Sequence, residues 1–169
     1  MKDYSNYQTA VALNILLHSV PVSQAQMAGS SKYPSVRGNV YFYPFQEGTL
    51  VLYDIVGLPE SASKACRGRF LGFHVHEGPA CTGNEEDPFA DAEGHYNPDG
   101  CEHPEHAGDL PVMLVDSGNV WGALYTDRFL PEEILGRTVI IHGMADDYRS
   151  QPSGDSGMKI ACGVVKMWK

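Results

Sequence analysis

No apolar run in the chain approaches the roughly 20 residues that a membrane-spanning helix needs, and no cluster of lysine and arginine is longer than a pair. The first absence argues against a membrane partner. The second, with a formal net charge of −9, argues against nucleic acid, whose phosphates call for a basic face. Cysteine is scarce, and the four present permit three pairings. Long helical stretches are missing too, because Gly57-Leu58-Pro59, Asn97-Pro98-Asp99-Gly100 and Ser117-Gly118-Asn119 supply turns. Only Pro131 to Leu135 leaves room for a helical turn or two. With no internal repeat, 169 residues at 43% hydrophobic and 20% charged fit one ordinary globular domain.

The first 23 residues stand apart. Ala10-Val11-Ala12-Leu13 and Ile15-Leu16-Leu17 have an apolar character, yet Asn14, His18 and Ser19 interrupt them and Lys2-Asp3 gives almost no positive start. Ser23-Gln24-Ala25 satisfies only the cleavage requirement of a signal peptide. Residues 1–23 therefore read as an amphipathic or disordered extension, the cytoplasm is favoured over secretion, and the domain proper spans 24–169.

That domain reads as eight short alternating stretches: Gln24 to Gly29, Val40 to Tyr43, Leu50 to Val56, Phe70 to His76, Pro111 to Val115, Val120 to Tyr125, Thr138 to His142 and Ile160 to Trp168. Strands of this size without intervening helices predict an all-β, antiparallel barrel or sandwich. Two connections, Glu77 to Leu110 and Gly143 to Lys159, exceed the length at which a compact domain usually has a functional reason for a loop.

Histidine supplies that reason. Six of the seven fall in order as His74-Val75-His76, then His95, His103 and His106 running into Asp109, then His142 ahead of Ala145-Asp146-Asp147. His74 and His76 lie two apart on a strand, hence on one face and about 6.6 Å apart along it, close enough to reach one ion. Imidazole suits several first-row metals and affinity favours Cu(II), so a histidine-rich site beside a mixed His/Asp site points to copper with zinc.

The string Gly72-Phe73-His74-Val75-His76-Glu77, Gly94-His95-Tyr96-Asn97-Pro98, His106-Ala107-Gly108-Asp109-Leu110, His142 with Ala145-Asp146-Asp147, and Gly157-Met158-Lys159-Ile160-Ala161-Cys162-Gly163 resembles the copper-zinc superoxide dismutase family from about Gln24 to Val165. The resemblance implies an eight-stranded Greek-key barrel with two long metal-binding loops. It implies copper on His74, His76, His95 and His142, and zinc on His95, His103, His106 and Asp109. His95 then serves both metals through both ring nitrogens, as an imidazolate. The implied reaction is dismutation of superoxide, in which copper is alternately reduced and reoxidised while the His95 bridge opens and takes a proton. Asp146 matches an aspartate that orients one histidine of each metal, here His74 and His103, and Asp147 is a loop residue. Cys81 and Cys162 match an intrasubunit disulfide, leaving Cys66 and Cys101 to form a second bridge or remain free, with a bridge favoured. The implied partner is a small anion, superoxide, and a homodimer is the candidate assembly.

Two features depart from the family pattern. Lys159 stands where an arginine usually orients the anion, keeping the charge but losing the planar fork of donors, and Arg149 nearby is a second candidate for a positive funnel. His103-Pro104-Glu105-His106 places two zinc ligands three apart, closer than in animal and plant members, with Cys101 two residues before His103 as an alternative donor. Ser153 takes the place of a small residue that narrows the channel. The acidic residues Glu85, Glu86, Asp87, Asp91 and Glu93 read as a solvated loop. The alternative function is a copper- and zinc-binding protein on a dismutase scaffold without turnover. The presence of all four copper ligands weighs against it, and a zinc hydrolase would lack an evident general base.

Overall fold

The computed structural model describes residues 4–60 and 69–169. Among these residues, eight antiparallel strands follow one α-helix: α1 (Tyr4–His18), β1 (Ser23–Gly29), β2 (Arg37–Phe45), β3 (Gly48–Val56), β4 (Arg69–His76), β5 (Asp109–Val115), β6 (Asn119–Thr126), β7 (Thr138–His142) and β8 (Lys159–Met167). They form one sheet in the order β5-β4-β7-β8-β1-β2-β3-β6. Its two end strands are consecutive in the chain and joined by a tight turn, with Asp116 bridged to Asn119. Ser117 and Gly118 both hold positive φ there, 51° and 74°, the backbone twist that a two-residue hairpin requires. The sheet curls into a nearly closed barrel, and each expected strand lies within or overlaps an observed one.

Alternation sorts the side chains. On β4, Leu71, Phe73 and Val75 enter the main core with Val139 and Ile141 of β7, Val40 and Phe42 of β2, and Val51 and Ile55 of β3. His74 and His76, of opposite parity, face outward but are buried, because the two long loops fold back over this wall. A second small cluster of Phe89, Ala92, Ile140 and Cys162 fastens the first loop to the outer face of β7 and β8. Pro131 to Leu135 makes successive tight turns in place of a regular helix.

The segment before β1 is a 15-residue helix. Val11, Ala12, Ile15 and Leu16, spaced for one helical face, pack against Tyr43, Phe45 and Leu50 on the outside of β2 and β3.

Cys81 and Cys162 form a disulfide across 81 residues of sequence, tying the first loop to β8. Cross-linking a loop of that length restricts the unfolded chain, a gain of about 4.5 kcal/mol by chain entropy. The Cys81→Ser/Cys162→Ala variant is expected to lower unfolding free energy by roughly 2–5 kcal/mol in denaturant melts of metal-free protein; an unchanged midpoint would show that the loop is held without it. Cys101 is exposed and has no disulfide partner among the described residues; the expected Cys66–Cys101 bridge falls on Cys66, which lies outside them.

Candidate metal centre

Six histidines and one aspartate converge on the outer wall of the barrel. Donor atoms of His74, His76, His95 and His142 all lie within 4.8 Å of one another, and so do those of His95, His103, His106 and Asp109. His95 belongs to both groups, and every member of both is buried.

Local irregularities aim these rings. β4 and β5 shift register between Leu71 and Phe73, and β7 and β8 do so at His142, the kind of bulge that redirects a side chain beside a site. Gly72 sits at the first bulge. A Cβ there would lie 2.8 Å from Ser156 Cβ and 3.3 Å from the His74 ring, so only glycine admits the second loop this close. Glu93 holds the sparsely populated φ 60°, ψ −148°, and its carbonyl accepts from His76 Nδ1 at 2.8 Å.

Hydrogen bonds settle which nitrogen is bare on four of the rings. His74 Nε2 and His103 Nε2 donate to the two oxygens of Asp146 at 2.7 and 3.0 Å. His76 Nδ1 donates to Glu93 O, and His142 Nδ1 to Gly157 O at 3.1 Å. A neutral imidazole that donates from one nitrogen presents a lone pair on the other. The bare Nε2 atoms of His76 and His142 therefore face each other at 3.2 Å, a repulsive arrangement unless a cation lies between. His74 Nδ1, His95 Nε2, His103 Nδ1 and His106 Nδ1 are buried without a hydrogen-bond partner. The last two lie 3.0 and 3.2 Å from Asp109 Oδ2 but are not aligned with it; nitrogens and carboxylate point at a common centre instead of at each other. Buried polar atoms rarely go unpaired, and four in one place fit metal ions. Four imidazoles suit copper, and three imidazoles with a carboxylate suit zinc.

Electrostatics agree with that fit. Burial, reinforced by neighbouring rings, lowers His74 to about 4 and His142 to about 3 and pushes His76 well down, so all three are neutral ligands at neutral pH. Burial works to raise the Asp146 carboxyl, but hydrogen bonds from His74, Tyr148 N–H and His103 bring it down to about 2. Metal-free protein should therefore weaken in acid. Unfolded histidines protonate near 6.5, whereas the folded rings wait until about 4 and 3. Between those values the unfolded state binds more protons, and stability falls as pH falls; above about pH 6.5 these rings add no slope. Asp146, with its stabilisation lost as pH falls from 3.8 towards 2, adds the same sign at lower pH. The denaturant midpoint of the metal-free protein is expected to fall from pH 7 to pH 5, with uptake of about two protons or more on unfolding; a flat profile would contradict it.

Contacts that sequence reading did not single out hold the zinc-side loop. The Gln151 amide accepts from His103 N at 3.0 Å and donates to His103 O at 2.6 Å. Arg128 donates to the carbonyls of Pro104, His106 and Asp109 at 2.9, 3.1 and 3.3 Å. Cys101 lies outside both donor groups. Asp147 is exposed and accepts from Arg149 N and Ser150 N in its own turn.

A cavity of about 540 Å³ opens onto the four-histidine group, lined by His76, His95 and His142 and also by Pro152, Ser153, Gly157 and Lys159. Two expectations change here. Arg149 is exposed and does not line the cavity, whereas Glu86, Asp87 and Glu93, expected to be merely solvated, do.

Residues 36–165 match the family model described as copper/zinc superoxide dismutase. The chain is 34% identical over 146 residues to superoxide dismutase [Cu-Zn] 2 of Aquifex aeolicus, covering 78% of this chain and 80% of that relative. It is 33% identical over 150 residues to superoxide dismutase [Cu-Zn] of Deinococcus radiodurans, covering 78% of each. Among solved structures, the Cu/Zn superoxide dismutase of Brucella abortus aligns with a TM-score of 0.71 at 28% identity, over 84% of this chain and 98% of that one. Barrel, paired donor groups and sequence similarity agree, and the chain belongs to the copper/zinc superoxide dismutase family.

Proposed function

We propose that His74, His76, His95 and His142 hold copper, that His95, His103, His106 and Asp109 hold zinc, and that Lys159 faces the anionic substrate. The enzyme is a superoxide dismutase with copper and zinc as its cofactors. Two superoxide anions and two protons give one dioxygen and one hydrogen peroxide. The observation that carries this reading is the set of bare, buried nitrogens converging on two centres that share His95. Among the described residues, both centres draw only on the 24–169 domain, and residues 4–23 contribute no donor to either.

Copper supplies a one-electron couple and zinc a fixed positive charge. The protein's part is to hold, orient and deliver protons. Asp146, accepting from one histidine of each centre, keeps both rings in a single tautomer and orientation. His95 Nδ1 and Asp109 Oδ1 lie 2.6 Å apart on the side assigned to zinc, and His95 Nε2, buried without a partner, is the position able to hold a proton next to the cavity. Pro152, Ser153 and Gly157 line the approach together with Lys159.

Superoxide decay after pulse radiolysis, followed with protein loaded with both metals and with copper-free protein, tests the function. Fast decay that continues through many turnovers and needs copper is expected. Loss limited to one equivalent per copper would instead support the metal-binding scaffold without turnover.

A further inference from the structure

Lys159 does not stand free on the cavity wall. Its Nζ donates to Asp87 Oδ2 at 2.6 Å and to Phe89 O at 3.1 Å, so two of its three N–H groups are taken. The lysine side chain is only 15% exposed and the aspartate 41%. Lys159 pairs with His142 in the β7–β8 register, which puts this ion pair beside the four-histidine group. Among the residues lining the cavity, one ammonium thus meets three carboxylates, Glu86, Asp87 and Glu93. An ammonium in contact with a carboxylate acts at a distance as a dipole. Its pull on an approaching anion falls off faster than that of a single charge.

We infer that Asp87 is a positioning and specificity-determining residue: it holds Lys159 in place and offsets its charge, setting how strongly the cavity attracts small anions. The inference rests on reading Lys159 as the anion-facing charge. Asparagine removes the charge and keeps one acceptor oxygen, which can serve Lys159 Nζ or Phe89 N–H but not both, because these now bond to different oxygens, Oδ2 at 2.6 Å and Oδ1 at 3.0 Å.

Azide binding to copper- and zinc-loaded protein, read from the copper(II) absorption spectrum, tests this without relying on turnover. Asp87→Asn is expected to bind azide roughly threefold to tenfold more tightly at low ionic strength, with the gain shrinking in 0.5 M salt at a Debye length of about 4 Å. Its superoxide rate should rise in the same conditions. Asp87→Ser, which removes the charge with a different shape, repeats the measurement. Glu85→Gln, a neutralisation two residues away that does not line the cavity, should leave azide affinity at the wild-type value. Unchanged or weaker binding in both Asp87 variants overturns the inference, as does an equal gain in Glu85→Gln, which would mark a diffuse charge effect. If Lys159→Gln leaves azide affinity unchanged, the reading of Lys159 itself fails.

Discussion

His95→Ala is expected to abolish superoxide turnover to the level of copper-free protein and to weaken both metals at once. Loss of a residue that only orients a ligand typically costs 10–100-fold in metal affinity. His95 is a donor common to both groups, so each affinity should fall by more than about 100-fold. Its neighbours add to the effect. The His74 and His95 ring centroids are 4.0 Å apart, and Asp109 loses the 2.6 Å partner of its Oδ1, leaving a buried carboxylate half satisfied. Competition with a chromophoric chelator measures both affinities. Loss of copper affinity alone, with zinc intact, would mean that His95 is no bridge.

The second large effect is expected at a residue that touches no metal. Gly154 adopts φ +67°, and a Cβ built there would lie 1.9 Å from Asp146 Oδ1 and 2.7 Å from His103 Nε2. Gly154→Ala combines a left-handed backbone penalty of about 1–2 kcal/mol with a clash that Asp146 can relieve only by moving. If it moves, both His74 and His103 lose the acceptor that fixes their tautomers. The expected result is a 10–100-fold loss of zinc affinity and a comparable fall in superoxide rate, at least as large as in Asp146→Asn. That variant leaves the backbone alone and retains one acceptor oxygen. Zinc affinity within twofold of wild type would show that the loop absorbs the methyl group and that Gly154 is no constraint.

These two predictions also mark what could be read from the chain. The donors were legible because each is a rare residue type at a telling spacing: His74 and His76 on one strand face, His142 at the end of another, Asp109 three residues after His106. The strands were legible from alternation and turn residues. The supports were not. Gln151 grips His103 from 48 residues away, Arg128 reaches back 24 residues to Pro104, and neither has a local pattern that distinguishes it from a surface residue. Asp87 reads as one more acid in an acidic loop until the fold brings Lys159, 72 residues on, against it. The helical form of the first segment was hidden for a related reason. Its apolar face is short and interrupted, and it is the outer wall of β2 and β3 that gives Val11, Ile15 and Leu16 a surface to cover.

Anomalous diffraction from crystals of the metal-loaded protein, collected at the copper and zinc absorption edges, tests the central claim most directly. Two peaks are predicted, copper among His74, His76, His95 and His142 and zinc among His95, His103, His106 and Asp109, with His95 in contact with both. A single shared peak, or zinc bound through Cys101 in place of His103, would contradict it.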